Sequence, residues 1–142
     1  MVESILSQAD FAESPQGSLW TLNTEKAQRF RFSVTIVAMK TSLQAVLEAS
    51  ATLFERVLRD SLPFKESVTL AMTEDLPDVT KTLEVEQIAA SLAVDSILLT
   101  SAPRSPLSAE ITMSSDHLLL LEYTIDSHFL PDGQFLGINI ES

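Results

Sequence analysis

Two histidines are the side chains in this sequence with the clearest capacity for chemistry. His117 follows Asp116, and His128 stands two residues after Asp126. An imidazole oriented by a carboxylate can serve as a general base or ligate a metal ion. A metal site needs further ligands, and none lies nearby at a recognisable spacing. We therefore expect both histidines to be structural or exposed, and we expect no metal and no cofactor.

The other groups from which catalytic sites are built are scarce. The chain has no cysteine, which excludes disulfides, thiolate metal sites and thiol nucleophiles. Its three glycines, Gly17, Gly133 and Gly137, are scattered and form no phosphate-binding loop. No nucleophile elbow occurs. We expect a protein that is not an enzyme, and the enzyme alternative built around Asp126 and His128 has little support.

Basic residues are few, so a nucleic-acid interface would depend on a small set. The candidates for contacts with DNA phosphates are Lys40, Arg56, Arg59 and Arg104. Arg56 and Arg59 are three residues apart and would be neighbours on a helix surface. Glu48 and Glu55 lie on the same general side and would oppose a phosphate. The alternative interpretation of this helix is a solvated surface.

Composition predicts one soluble domain. The chain has 142 residues, a 45% hydrophobic fraction and a net charge of −11. That charge opposes non-specific binding to nucleic acid or anionic membranes. The first residues lack the pattern of a signal peptide, and the longest aliphatic run, residues 118–121, is far short of the roughly 20 residues that span a bilayer. We expect an intracellular protein, cytoplasmic or nuclear, that has no membrane contact.

The elements that would position these groups follow from periodicity. Residues 1–17 predict a flexible N-terminal segment, and residues 18–142 a single domain. Residues 18–23 predict a short strand. In residues 29–39, Phe30, Phe32, Val34 and Ile36 alternate with polar side chains, which predicts a strand with one apolar face.

A long helix is predicted over residues 41–61. Its apolar residues recur at spacings of three and four and form one stripe. Thr41 and Gln44 fit a capping box at its start, and Pro63 would end it. Residues 66–72 alternate again and predict a strand, followed by a polar loop over residues 73–81 and a strand from Leu83 to Gln87.

The segment from residue 93 to residue 102 is small and aliphatic and is followed by Pro103 and Pro106. It fits a short buried helix, although periodicity alone leaves helix and strand both open. The chain then closes with an antiparallel meander of three strands, residues 109–113, 118–125 and 135–140. Pro131, Asp132 and Gly133 predict the turn between the last two, because proline presets one backbone angle and glycine accepts a left-handed one.

Residues 92–140 resemble the C-terminal end of the PCNA family of sliding clamps. The matching segments include Leu-Ala-Val-Asp-Ser-Ile-Leu-Leu-Thr-Ser-Ala-Pro from residue 92, Leu-Leu-Glu-Tyr-Thr-Ile from residue 120 and Phe-Leu-Gly-Ile-Asn-Ile-Glu from residue 135. The Asp-Gly-Gln turn at residue 132 is also similar to that of the PCNA-like subunits of the DNA-damage checkpoint clamp. The resemblance implies a single clamp-like α+β domain, an antiparallel sheet with one long and one short helix packed on one face.

The resemblance also implies a function in DNA replication or repair. Members of that family are non-enzymatic rings that encircle duplex DNA, so this chain would form a homo- or hetero-oligomer. The family's closing strand helps to dock partner peptides, and by position the docking residues here would be Leu136, Gly137, Ile138 and Ile140. The alternative is a small acidic α/β interaction module, such as a dimeric chaperone or adaptor, with no role on DNA. In both cases the margin of the last strand is a natural place for a partner strand to add.

Overall fold

A seven-stranded sheet forms the centre of the structure, a computed structural model that describes residues 6–15, 17–38, 42–59, 61–102 and 105–142. The strands lie side by side in chain order. They are β1 (Phe11–Glu13), β2 (Leu19–Leu22), β3 (Ser33–Ala38), β4 (Leu92–Ala102), β5 (Ser105–Ser115), β6 (Thr124–Phe129) and β7 (Phe135–Glu141). Neighbouring strands are antiparallel except β3 and β4, which are parallel. A parallel pair requires a long crossover connection, and here the crossover contains most of the helices.

Six α-helices occur in the described residues. They are α1 (Thr24–Phe30), α2 (Leu43–Ala49), α3 (Ala51–Arg59), α4 (Leu62–Asp75), α5 (Pro77–Thr80) and α6 (Val85–Ser91). α1 connects β2 to β3, and α2 to α6 form the crossover from β3 to β4. A 3-10 turn, Gln8–Asp10, precedes β1.

One face of the sheet carries the buried side chains. Ile36 on β3 and Ile111 on β5 are fully buried there, in one cluster with Phe54 of α3 and Val68 of α4. Burial of each such side chain contributes roughly 1.5–3 kcal/mol. On β3 to β6 the alternate residues point to the opposite face and are mostly small and polar, for example Thr112. The predicted α+β class is confirmed, in a single domain with a mostly antiparallel sheet. The described residues form six helices rather than the one long and one short helix that were expected.

Several predicted elements are present. The strands expected at residues 18–23, 109–113 and 135–140 correspond to β2, β5 and β7. The strand expected at residues 29–39 is present as β3 only from Ser33, because Arg29 and Phe30 end α1. The predicted turn before β7 also forms, since the Gly133 N–H donates to the Leu130 carbonyl at 2.9 Å and Gly133 has a φ of 95°. These segments combine clear alternation with turn residues, so local pattern and fold agree.

The predicted long helix at residues 41–61 is two helices. α2 ends and α3 begins around Ser50, which has non-helical backbone angles and is fully buried. At the start of α2 the Ser42 hydroxyl accepts a hydrogen bond from the Ala45 N–H at 3.1 Å. The predicted capping box of Thr41 and Gln44 includes a residue, Thr41, that lies outside the described residues.

Two predicted strands are helices. Residues 66–72 belong to α4, and residues 85–87 open α6. In α4 the buried residues Phe64, Val68 and Met72 recur every four positions, whereas Leu70 is 56% exposed. The alternation of Val68, Leu70 and Met72 therefore misled the strand prediction. Pro63 lies in the first turn of α4, where its missing N–H costs nothing, so it begins a helix rather than ending one.

The predicted short helix at residues 93–102 is wrong, since these residues form β4. Ile97 and Leu99 are buried, while β3 and β5 pair with the two sides of the strand. A central strand with helices over one face can read as a nearly continuous apolar run, which periodicity does not distinguish from a buried helix. The element order implied by the clamp resemblance, with a helix at this position, is therefore absent.

Three smaller features of the structure also differ from the predictions. The strand predicted at residues 118–125 begins only at Thr124, and the preceding residues form turns in which Leu118 is 84% exposed. α1 was not predicted, although Asn23 caps it by accepting a 2.9 Å hydrogen bond from the Lys26 N–H. The N-terminal segment is not wholly separate from the domain, because β1 pairs with β2 and Phe11 is buried in the core.

Candidate functional site

β7 lies at one margin of the sheet. It pairs with β6, and no strand in the described part of the chain pairs with its other side. A strand at a sheet margin presents backbone N–H and C=O groups to which another extended chain can hydrogen-bond. The opposite margin strand, β1, has only three residues, whereas β7 has seven. β7 is therefore the longer of the two templates for strand addition.

The residues predicted to bind partners all lie on β7: Leu136, Gly137, Ile138 and Ile140. Leu136 stands at the register shift between β6 and β7 and is 54% exposed. Ile138 and Ile140 are half-buried and pack against the core. Of these apolar side chains, Leu136 is therefore mostly exposed, and Ile138 and Ile140 contact the core. β7 carries no charged residue before Glu141.

α4 runs beside β7 in the same direction. Phe64, in the first turn of α4, lines a cavity with Phe135, the first residue of β7. Leu76, which follows α4, lines a second cavity with Ile140 near the end of β7. The two cavities measure about 400 and 460 Å³. Each end of the margin strand therefore has a recess beside it.

The cavity at the start of β7 combines aromatic rings with one cation. Its lining residues are Arg56, Pro63, Phe64, Ser67, Phe129, Gly133 and Phe135. The rings of Phe64 and Phe129 meet edge to face with centroids 5.7 Å apart, and those of Phe129 and Phe135 lie 5.5 Å apart. This recess has an aromatic base and a guanidinium at its margin.

The cavity at the end of β7 has a different character. It is lined by Asp75, Leu76, Tyr123, Asn139, Ile140 and Ser142. It contains one carboxylate and no cationic side chain among these residues. The recess at the start of β7 therefore contains a cation and the recess at its end contains a carboxylate, so the two ends of the strand lie in surroundings of opposite charge.

Of the predicted DNA-binding residues, the structure describes Arg56 and Arg59, which line one shallow pocket together with Thr52 and Glu55. Arg59 lies 3.8 Å from Glu55 in an exposed ion pair, one helical turn away on α3. Arg56 is directed instead to the turn between β6 and β7, where its side chain covers Gly133. Lys40 and Arg104 lie outside the described residues.

Lys65 of α4 is a further cation, and it was not among the predicted site residues. It lines a third cavity of about 280 Å³ with Arg31 and Asp95. Partial burial lowers the pKa of the Lys65 amine from its ordinary value, because desolvation disfavours the charged form. None of the residues that line this cavity lines the aromatic one.

Asp126 and His117 each accept a hydrogen bond from a nearby group. The Asp126 carboxylate accepts a 3.0 Å hydrogen bond from the Thr112 hydroxyl on the neighbouring strand. The Nδ1 atom of His117 accepts a 3.2 Å hydrogen bond from the Leu119 N–H within the turns before β6. Within the described residues, no group of three or more His, Cys, Asp or Glu side chains is arranged to hold a metal ion.

Sequence reasoning missed the aromatic cavity. Arg56 is on α3 and Ser67 on α4, while Phe129 and Gly133 belong to the closing hairpin. Their proximity depends on how α3 and α4 pack over the sheet, which no local pattern encodes. The one available signal was Pro63, whose position fits the first turn of a new helix.

The fold and site thus define an α+β protein with a margin strand that no other described strand pairs on its outer side, and with a recess at each end of that strand. Comparisons of the chain with protein families, with curated proteins and with solved structures found no match. Among the described residues, no helix has the length and apolar character needed to cross a membrane.

Proposed function

We propose that this chain is a non-enzymatic protein-interaction module that binds an extended segment of a partner protein along β7. The observation that carries the proposal is the seven-residue margin strand, which is unpaired on one side among the described residues. Strand addition to such a margin uses backbone hydrogen bonds for affinity and neighbouring pockets for specificity.

The side chains of β7 fit this use. Proteins often protect sheet margins with lysine, proline or inward-pointing charge. β7 contains neither lysine nor proline, and its one charged residue, Glu141, is the last of the strand. The bulge at Leu136 interrupts the strand only near its start, so the segment from Gly137 to Glu141 keeps a regular register with β6.

Encirclement of DNA by a clamp-like oligomer has less support than partner binding. A clamp would direct its helices at DNA, but acidic side chains outnumber basic ones on α1 to α6. Each phosphate contact requires a cation, and Arg59 is already paired with Glu55. The proposal therefore follows the interaction-module alternative and retains the peptide docking at β7 that the clamp resemblance implied.

The test is a selection of peptides from a random-sequence display library, followed by amide hydrogen exchange of the protein with a selected peptide. We expect the peptide to slow exchange along residues 137–141, because new backbone hydrogen bonds form there. Leu136→Glu should weaken binding, since it places a carboxylate beside the added strand.

Leu118→Glu is the matched control. It makes the same substitution at another exposed leucine, in the turns before β6 rather than on β7. We expect the Leu118→Glu protein to bind like the wild type. Protection confined to the turns before β6, or equal loss in both variants, would refute docking at β7.

A further inference from the structure

The aromatic cavity at the start of β7 has the features of a ligand site independent of strand addition. Its volume of about 400 Å³ lies within the range of small-molecule pockets. None of its lining residues is acidic. Among the described residues, no carboxylate lies within ion-pair distance of the Arg56 guanidinium. The cation is thus available to an external anion.

The position of Arg56 is set by the turn between β6 and β7. A Cβ atom added at Gly133 would lie 3.2 Å from both Cδ and Cζ of Arg56 and closer still to a guanidinium nitrogen. A larger residue at position 133 would require the end of the Arg56 side chain to move. A long side chain that already lies against a turn has less conformational entropy to lose when a ligand binds. This preorganisation favours binding.

Three phenylalanine rings lie at the base of the cavity. Phe64 and Phe129 are buried, and their edge-to-face contact holds both rings in place. Phe135 is half-buried and extends the aromatic surface. Ser67 adds a hydroxyl whose hydrogen bond to the Pro63 carbonyl, at 3.5 Å, is long and weak. It can therefore also donate to a ligand.

We propose that this cavity binds a carboxylate carried on an aromatic body, with the carboxylate on Arg56 and Ser67 and the ring against the phenylalanines. A guanidinium offers parallel N–H donors that match the two oxygens of a carboxylate. Aromatic rings prefer offset or edge-to-face contact with a further ring, which selects an aryl group over a polar one.

A phosphate ligand fits less well. Phosphate and nucleotide sites gather several cations or a glycine-rich loop. This cavity has one cation and a single glycine, Gly133, over which the Arg56 side chain lies. One guanidinium beside an apolar surface matches the single charge and apolar body of an aromatic monocarboxylate.

The experiment titrates the full chain with hydrocinnamate and, separately, with the neutral isostere hydrocinnamamide, and follows the amide NMR signals of Ser67 and Gly133. We expect saturable shifts with hydrocinnamate and affinity at least about tenfold weaker for the amide, because a charged hydrogen bond is lost. Arg56→Gln should weaken hydrocinnamate binding by about the same factor. Arg56→Lys should fall between, since it keeps the charge and loses the paired donors.

Arg59→Gln is the matched control for charge. It removes the same unit of charge three residues away, at a side chain outside this cavity. We expect hydrocinnamate to bind this variant as it binds the wild type. Equal binding of acid and amide, equal loss in Arg56→Gln and Arg59→Gln, or the absence of saturable shifts would overturn the proposal.

A peptide that ends in phenylalanine, prepared with a free carboxylate and as an amide, identifies the source of the ligand. Tighter binding of the free peptide than of hydrocinnamate, still dependent on Arg56, assigns the site to protein chain ends. Tighter binding of hydrocinnamate assigns it to small aromatic acids. Both outcomes support the chemistry of the site, and neither depends on strand addition at β7.

Discussion

Ser50 and Ser127 are both fully buried, but their hydroxyls differ in hydrogen bonding. The Ser127 hydroxyl donates to the Ile111 carbonyl at 2.7 Å. The Ser50 hydroxyl, at the junction of α2 and α3, has no hydrogen-bond partner among the described residues. A buried polar group without a hydrogen-bond partner lowers the free energy of unfolding, whereas a hydrogen-bonded one raises it.

We expect Ser50→Ala to raise the free energy of unfolding by about 1 kcal/mol and Ser127→Ala to lower it by a similar amount. Chemical denaturation of the two variants and the wild type measures both changes. Equal destabilisation by both substitutions would show that the Ser50 hydroxyl is satisfied in the folded protein.

Gly133 is constrained twice, by its φ of 95° and by the Arg56 side chain above it. Gly133→Ala should therefore lower the free energy of unfolding by about 1–3 kcal/mol, from backbone strain and from the displaced guanidinium. A double-mutant cycle with Arg56→Ala separates the two causes, because only the second disappears when the long side chain is absent. If the cost of Gly133→Ala is the same in both backgrounds, the contact between Arg56 and the turn is not significant.

α4 is the element on which the sequence interpretation and the structure differ most clearly. As a strand, Val68, Leu70 and Met72 would share one face. As a helix, Met72 joins Val68 in the core, while Leu70 lies on the outer side. The two interpretations predict different changes in the free energy of unfolding when Leu70 is replaced by alanine.

Met72→Ala should lower the free energy of unfolding by about 2–5 kcal/mol, because it leaves a cavity in the core. Leu70→Ala should change it by less than about 0.5 kcal/mol, because the side chain is mostly in solvent. Thermal or chemical denaturation distinguishes the outcomes. Similar large costs at both positions would mean that residues 66–72 do not form the helix with this orientation.

Helix and strand assignments succeeded where a local pattern had one interpretation. In β3, apolar residues alternate with polar ones and exclude a helical period. β4 carries a continuous apolar segment, and its identity as a strand depends on β3 and β5, which pair with its two sides. The Asn23 cap could have predicted the start of α1. However, a seven-residue helix with no fully buried side chain gives a weak periodic signal.

The molecule as a whole carries a charge of −11, and its seven strands contain no lysine or arginine. Its described cations are distributed among the helices and their ends. Arg56 and Arg59 share a pocket with Glu55, which pairs with Arg59, and Lys65 lines a separate cavity. A duplex would meet an overall repulsive field, and the cations that the structure describes form no continuous basic surface.

We therefore expect no saturable binding to a fluorescently labelled duplex at physiological ionic strength, measured by anisotropy. A complex that weakens steeply with added salt, and that is lost in Arg56→Glu or Arg59→Glu, would contradict this expectation and favour the clamp interpretation. The molecular mass in solution is a further discriminator, because a ring requires a closed oligomer.

By itself the sequence determined the α+β class, the closing turn at Gly133, the strand β7 and the scarcity of catalytic groups. These depend on residue type and short-range spacing, which act through local backbone preference and side-chain direction. Only the tertiary structure decided that β4 is a strand, that β7 lies at the sheet margin, and that Arg56 lies over Gly133 beside three phenylalanines. Those features arise from contacts between residues far apart in the chain, and packing energy, not local preference, selects them.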